Sequence, residues 1–216
     1  MSRIAAEISR KFQEADRARD QGLSLHREAI RESSLAIRAI HRLEFPLAER
    51  HLEQAREILN RATDLLKQHP CVFHGGFLQD AQKEYAEARV TYAVVREQPI
   101  PSPEELGVED APYLNGLAEA VGELRRHILD LIRRNQLERG EELLGVMDEI
   151  YYVLISIDFP DAITRGLRRS TDVARGCLEK TRGDLTNHLG RVHLEQRIES
   201  LRDRVAGQAA APTSAR

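Results

Sequence analysis

Tryptophan is absent from this chain of 216 residues, and the other large aromatics amount to five Phe and five Tyr. A protein that holds single strands by stacking many bases on aromatic platforms has few platforms to offer here. Cysteine is scarce as well. Cys71 and Cys177 fit no metal-ligand spacing, so they are read as buried hydrophobes in a reducing compartment. No apolar run approaches the roughly 18 residues of a membrane span. The start of the chain shows no signal-peptide apolar core, so a soluble, cytoplasmic protein without membrane association is expected. Val, Ile and Thr never gather into alternating runs, which leaves strands without a foothold. An excess of positive charge is missing too: 32 Lys and Arg stand against 35 Asp and Glu, a formal net charge of −3. That excludes a uniformly basic nucleic-acid binder but not one with a segregated basic face.

What is present points to helices. Apolar residues make up 41% of the chain and charged ones 31%, enough for one sizeable core with long amphipathic faces around it. Apolar positions Ile4, Ile8, Phe12, Ala15, Ile30, Ile37 and Ile40 recur at helical spacing. They predict a first helix over Ser2 to about Glu44, interrupted only by Gly22, where it bends. Pro46 suits the first turn of a second helix ending near Gln68. A third runs from near Pro70 to "QPIPSPEELGV" (Gln98 to Val108), the clearest loop in the chain. A fourth is expected over Ala111 to Gln136, a fifth over Glu138 to Ile157 and a long sixth over Leu167 to Val205. The expectation is therefore all-α: an elongated bundle of six to seven helices, one domain over 1–205, with 206–216 a disordered tail. Helices this long leave stripes that one subunit does not cover, which points to an oligomer.

The carboxylates carry the chemistry. In "DAQKEYAEARVTYAV" (Asp80 to Val94), Asp80, Glu84 and Glu87 fall at i, i+4 and i+7, stacking like charges on one stripe. In "YLNGLAEAVGELRRH" (Tyr113 to His127), Glu119 and Glu123 form a second acidic pair on an otherwise apolar helix. Asp148 and Glu149 interrupt a third apolar helix. Taken alone, such stripes are solvated faces or subunit contacts. Packed together they suit a hard divalent cation, with Mg²⁺ the usual agent of phosphoryl chemistry. A ferritin-like di-iron bundle needs Glu-x-x-His, and none of the eight histidines has Glu three residues before it.

"FHGGFLQDAQKEYAEA" (Phe73 to Ala88), "LGVEDAPYLNGLAEAVGELRR" (Leu106 to Arg126) and "DVARGCLEKTRGDL" (Asp172 to Leu185) resemble the translin family, which comprises translin and translin-associated factor X. The resemblance spans about Arg27 to Leu201. Its most specific part is Tyr-Leu-x-Gly-x-Ala-x-x-x-Gly-Glu-Leu at Tyr113 to Leu124. It implies a seven-helix all-α bundle, with one short helix near Ser102 to Leu106, and a hollow octamer that binds single-stranded RNA and DNA inside. The factor X branch carries a Mg²⁺-dependent endoribonuclease site that the translin branch lacks. Its Glu-Tyr-x-Glu-Ala motif is matched by Glu84, Tyr85, Glu87 and Ala88, and its Gly-Glu-Leu glutamate by Glu123, with Glu119 four positions earlier. The resemblance thus implies Glu84, Glu87, Glu119 and Glu123 as ligands of Mg²⁺, or of Mn²⁺ in its place. A catalytic Asp of that branch aligns with Tyr152; Asp148, one turn earlier on the same face, is taken as its replacement.

On the basic side, Arg27, Arg31, Arg38 and Arg42 share a face of the first helix. They read either as surface partners of Glu28 and Glu32 or, by the resemblance, as nucleic-acid contacts. His74, in a family Phe-His pair, reads as a phosphate contact or as a helix-start hydrogen bond. Acidic motif and basic helix in one chain point to a self-sufficient homo-oligomer, an octamer by resemblance. The reading is a Mg²⁺-dependent endoribonuclease on single-stranded RNA, with Glu84, Glu87, Glu123 and Asp148 catalytic. Its rivals are a single-strand binder without chemistry and a helical scaffold whose acidic stripe is an interface.

Overall fold

The computed structural model describes residues 2–209, which form nine helices and no strand among them. Six are long: α1 (Ser2–His41), α2 (Phe45–Leu66), α4 (Phe77–Val95), α6 (Asp110–Arg133), α7 (Leu137–Ser156) and α9 (Leu167–Ala209). Three single turns, α3 (Pro70–Phe73), α5 (Pro103–Leu106) and α8 (Asp161–Thr164), sit in the connections. Five of the six long helices fall close to where the apolar periodicity places them; α4 starts seven residues later than expected. α9 continues four residues past Val205, and the remainder of the expected tail, 210–216, lies outside the described residues.

α1 runs as one helix through Gly22, as expected, and Gly22 is buried where a Cβ would stand 3.1 Å from the Leu66 and Phe77 side chains. One correction concerns glycine. The third predicted helix instead divides, with His74 closing α3 through its backbone N–H to the Pro70 carbonyl. Gly76 then takes φ +101°, a conformation open to glycine, and α4 starts afresh at Phe77. The loop before α6 holds α5, whose capping box pairs the Ser102 hydroxyl with the Glu105 amide and the Glu105 carboxylate with the Ser102 amide.

α4 is the central element, packed against α1, α2 and α6. Its first half joins the core of α1 and α2 through Leu78, Ala81, Tyr85 and Ala88. Val90 and Val94 join a second core built by α6, α7 and α9. Being covered on so many sides, α4 has little solvent face for an acidic stripe to occupy. The N-terminal arm of α1 leaves Ile4, Ile8 and Phe12 exposed, and the far end of α9 leaves Leu194, Ile198 and Leu201 exposed. No helix among the described residues is long and apolar enough to cross a membrane.

Candidate metal centre and nucleic-acid interface

The site is made by the close approach of α4 and α6. At Gly116 a Cβ would stand 2.5 Å from the Lys83 carbonyl and 3.0 Å from the Glu87 amide, so only glycine lets the two backbones meet there. One turn on, Glu119 is thereby carried over the acidic stripe of α4. Carboxylate oxygens of Glu84, Glu87 and Glu119 lie within 4.8 Å of one another. Asp80, the first residue of the stripe, is exposed at the start of α4 and outside this triad.

Glu87 is the unusual member. It is only 9% exposed, and its carboxylate accepts no hydrogen bond and forms no ion pair among the described residues. Burial, and then the charges of Glu84, Glu119 and Glu123, push its pKa from an ordinary 4.5 to about 8. A buried carboxyl without a partner is costly, and a cation would relieve it. The donors are hard oxygens throughout, and the triad fits Mg²⁺ or Mn²⁺ better than a soft metal.

A cation of the chain's own already leans on the triad. Lys83 Nζ donates to Glu119 at 2.7 Å and stands 3.3 Å from Glu84. Burial alone would lower the ammonium's pKa, but hydrogen bonding and charge from Glu119 and Glu84 outweigh it and leave it raised. Glu123, also on α6, is engaged differently: the His41 Nε2–H donates to its carboxylate, and Arg126 stands 3.8 Å away. That hydrogen bond, stronger than the opposing effect of burial, holds the Glu123 carboxyl below the usual range. The His41 side chain is almost wholly buried at the end of α1, and its Nδ1 finds no partner among the described residues.

Asp148 is placed elsewhere. Both of its oxygens accept from Arg182 of α9, at 2.7 and 2.6 Å, and it is not in the triad. Tyr152, one turn on, points outward at 66% exposure. α7 packs on α6 and α9 rather than on α4, so its acidic step meets an arginine instead of the stripe. A cavity of about 440 Å³ opens beside the triad, with Glu87, Glu119 and Gly122 on one side and Arg169, Ser170 and Cys177 of α9 on the other.

On α1, Arg27, Arg31 and Arg38 are exposed and have no carboxylate within 4.0 Å among the described residues. The partners proposed for them are taken: Glu32 bonds His51 at 2.6 Å, and Glu28 faces Arg61 at 4.0 Å and Ser24 at 3.4 Å. The His74 side chain is exposed, edge-on to Phe73 at 5.0 Å, and caps no helix start. Tyr85 is core. Cys71 is exposed and Cys177 half-buried, so Cys71 is not the buried hydrophobe expected.

The structure of an AfC3PO–duplex RNA complex matches with a TM-score of 0.82 at 31% identity, covering 87% of this chain and 97% of that one. A second AfC3PO crystal structure matches at 0.81 and 32% over the same shares. The chain belongs to the C3PO (translin/TRAX) family. Apo-NeC3PO, at a TM-score of 0.73 and 22% identity over 85% of this chain and 96% of that one, shares the fold. An uncharacterized protein of Methanocaldococcus jannaschii is 29% identical over 189 residues, 85% of this chain and 82% of its own. No family model matches the chain. The C3PO fold was legible in the motifs that the sequence offers; four contributors to the site were not. Lys83 lay inside the quoted stripe, where its i+1 and i+4 relation to Glu84 and Glu87 was the available signal. For Arg169 the basic run "GLRRS" (Gly166 to Ser170) was the signal, while His41 and the spacing role of Gly116 had none.

Proposed function

We propose that this C3PO-family protein is a metal-dependent endoribonuclease that binds RNA within a homo-oligomer, most simply an octamer in the cytoplasm. The observation that carries the reading is Glu87, a buried carboxyl with no hydrogen-bond or ion-pair partner among the described residues, within 4.8 Å of two further carboxylates. Glu84, Glu87 and Glu119 are the residues that would hold Mg²⁺ or Mn²⁺. Such an ion, when bound, offsets phosphate charge and makes water a better nucleophile for phosphodiester hydrolysis. Glu123, kept ionised by His41, completes the acidic wall. The unpaired arginines of α1 supply a segregated basic face on a chain of net charge −3, positioning the strand without reading its bases. The apolar arms of α1 and α9 support assembly of several copies.

The test is cleavage of a labelled single-stranded RNA in Mg²⁺, in Mn²⁺ and in EDTA, with wild type, E84Q and E87Q. The AfC3PO relative was solved with duplex RNA, so a duplex substrate belongs beside the single strand. Metal-dependent cleavage lost in both variants, at unchanged oligomer mass, is the expected result. Cleavage as fast as wild type by a combined E84Q/E87Q variant rejects the reading. A second reading, an RNA-binding protein without chemistry, is favoured by the ammonium of Lys83 against Glu119 and Glu84, which supplies the triad with a cation of its own. Wild type that binds RNA and never cuts it, in either metal, decides for that reading.

A further inference from the structure

Arg169 stands out among the arginines at the start of α9. Its neighbour Arg168 faces Asp158 at 3.4 Å and Arg175 faces Asp172 at 3.4 Å, yet Arg169 has no carboxylate within 4.0 Å among the described residues. It nevertheless lines the same cavity as Glu87 and Glu119. An arginine that lines a cavity with two carboxylates, and pairs with neither, leaves room between them.

The room has the right size and polarity for one ligand chemistry. About 440 Å³ lies within the range of small-ligand sites. One wall is acidic and suited to a divalent cation; the other offers a planar, permanently charged fork and the Ser170 side chain. Ser170 is itself fixed, because its hydroxyl donates to Asn115 Oδ1 at 2.8 Å, and Asn115 donates to the carbonyls of Ala111 and Thr164. That network ties the first turn of α9 to α6, so Arg169 issues from a backbone held against the helix that carries Glu119. A phosphodiester satisfies both walls at once: one oxygen toward the cation, another toward the guanidinium.

We propose that the cavity between the Glu87–Glu119 wall and Arg169 seats a backbone phosphodiester of bound RNA, with Arg169 as its protein ligand opposite the metal carboxylates. The proposal rests on the nuclease reading for the metal. The phosphate contact itself is a binding statement that is measured without turnover.

The probe is a set of short single-stranded 2′-O-methyl RNA oligonucleotides, each with one neutral methylphosphonate linkage, titrated against wild type, R169A and R169K by fluorescence anisotropy. Wild type is expected to lose affinity about tenfold when one particular linkage is neutralised. R169A should bind the unmodified strand about tenfold more weakly and become indifferent to that linkage, while R169K recovers only part, lacking the bidentate fork. Loss of sensitivity at one position is not produced by a general structural fault, which would weaken every oligonucleotide alike. Mn²⁺ affinity and oligomer mass should be unchanged in R169A. An R169A protein that binds the unmodified strand as tightly as wild type, or keeps the same position-specific sensitivity, overturns the proposal. Cleavage is followed in parallel on unmodified RNA. Wild type that cuts nothing removes the nuclease reading, and the linkage scan still decides where the phosphate sits.

Discussion

Lys83 Nζ reaches across the α4–α6 contact to Glu119 at 2.7 Å, so the acidic triad carries a cation of its own beside Glu84. A divalent ion at the triad would compete with the ammonium for the same oxygens. K83M is therefore expected to tighten Mn²⁺ binding by about tenfold, as one unit of competing charge is removed from a half-buried site. In EDTA the same variant should melt a few degrees lower, because Glu84 and Glu119 then repel without relief. Isothermal titration with Mn²⁺ and thermal melts with and without EDTA check both halves. Unchanged affinity would show that Lys83 stays outside the ion's position.

Glu87 makes stability depend on pH in an uncommon direction. Its folded pKa of about 8 exceeds an ordinary 4.5, so the folded chain holds this proton more tightly than the unfolded one. Its contribution is whole below about 4.5 and is lost as pH rises toward about 8. Metal-free protein should accordingly lose stability across that window. E87Q should flatten the loss, and saturating Mg²⁺ should reverse it by binding the ionised form. Denaturant titrations from pH 5 to about 8.5 are the measurement. Equal slopes for wild type and E87Q would contradict it.

Gly116 sets the spacing on which the triad depends. G116A forces a methyl group toward the Lys83 carbonyl and should cost about 1–3 kcal/mol, with α6 displaced from α4. Mn²⁺ affinity should fall with it. Gly183, on the exposed part of α9 with nothing within 4 Å, is the control: G183A should be neutral or stabilise by up to about 1 kcal/mol. Calorimetric melts compare the two.

The free arginines of α1 should announce themselves in the salt dependence. On a single strand each neutralised phosphate contributes a slope of roughly −0.7 in log K against log salt. R31A should weaken binding similarly for every sequence and reduce the slope by somewhat less than one unit per subunit engaged. Titrations from about 50 to 300 mM salt suffice. No change in slope would return α1 to a solvated face.

Asp148 offers a test of where the site ends. Its carboxylate is held by Arg182 on an open flank, a pair of the kind that contributes about 1 kcal/mol or less. D148N should leave Mn²⁺ affinity and stoichiometry as they are. A weakened metal site in D148N would extend the centre to α7.

Helix content, the long spans and the acidic stripe were all readable along the chain, because periodicity and i, i+4 stacking are local properties of one helix. The Tyr113 to Leu124 pattern placed the chain in its family for the same reason. Gly76 escaped because a single residue at positive φ divides what apolar spacing reads as one helix. The identity of the converging carboxylates was not local. It depends on the Gly116 contact, which carries Glu119 onto α4, and on α7 packing away from α4, which leaves Asp148 to Arg182. Only folding brings His41 to Glu123 across 82 positions and Lys83 to Glu119 across 36. The burial of Glu87 was hidden as well, since a carboxylate's solvation depends on every helix around it, and that burial is what makes the acidic stripe a candidate cation site.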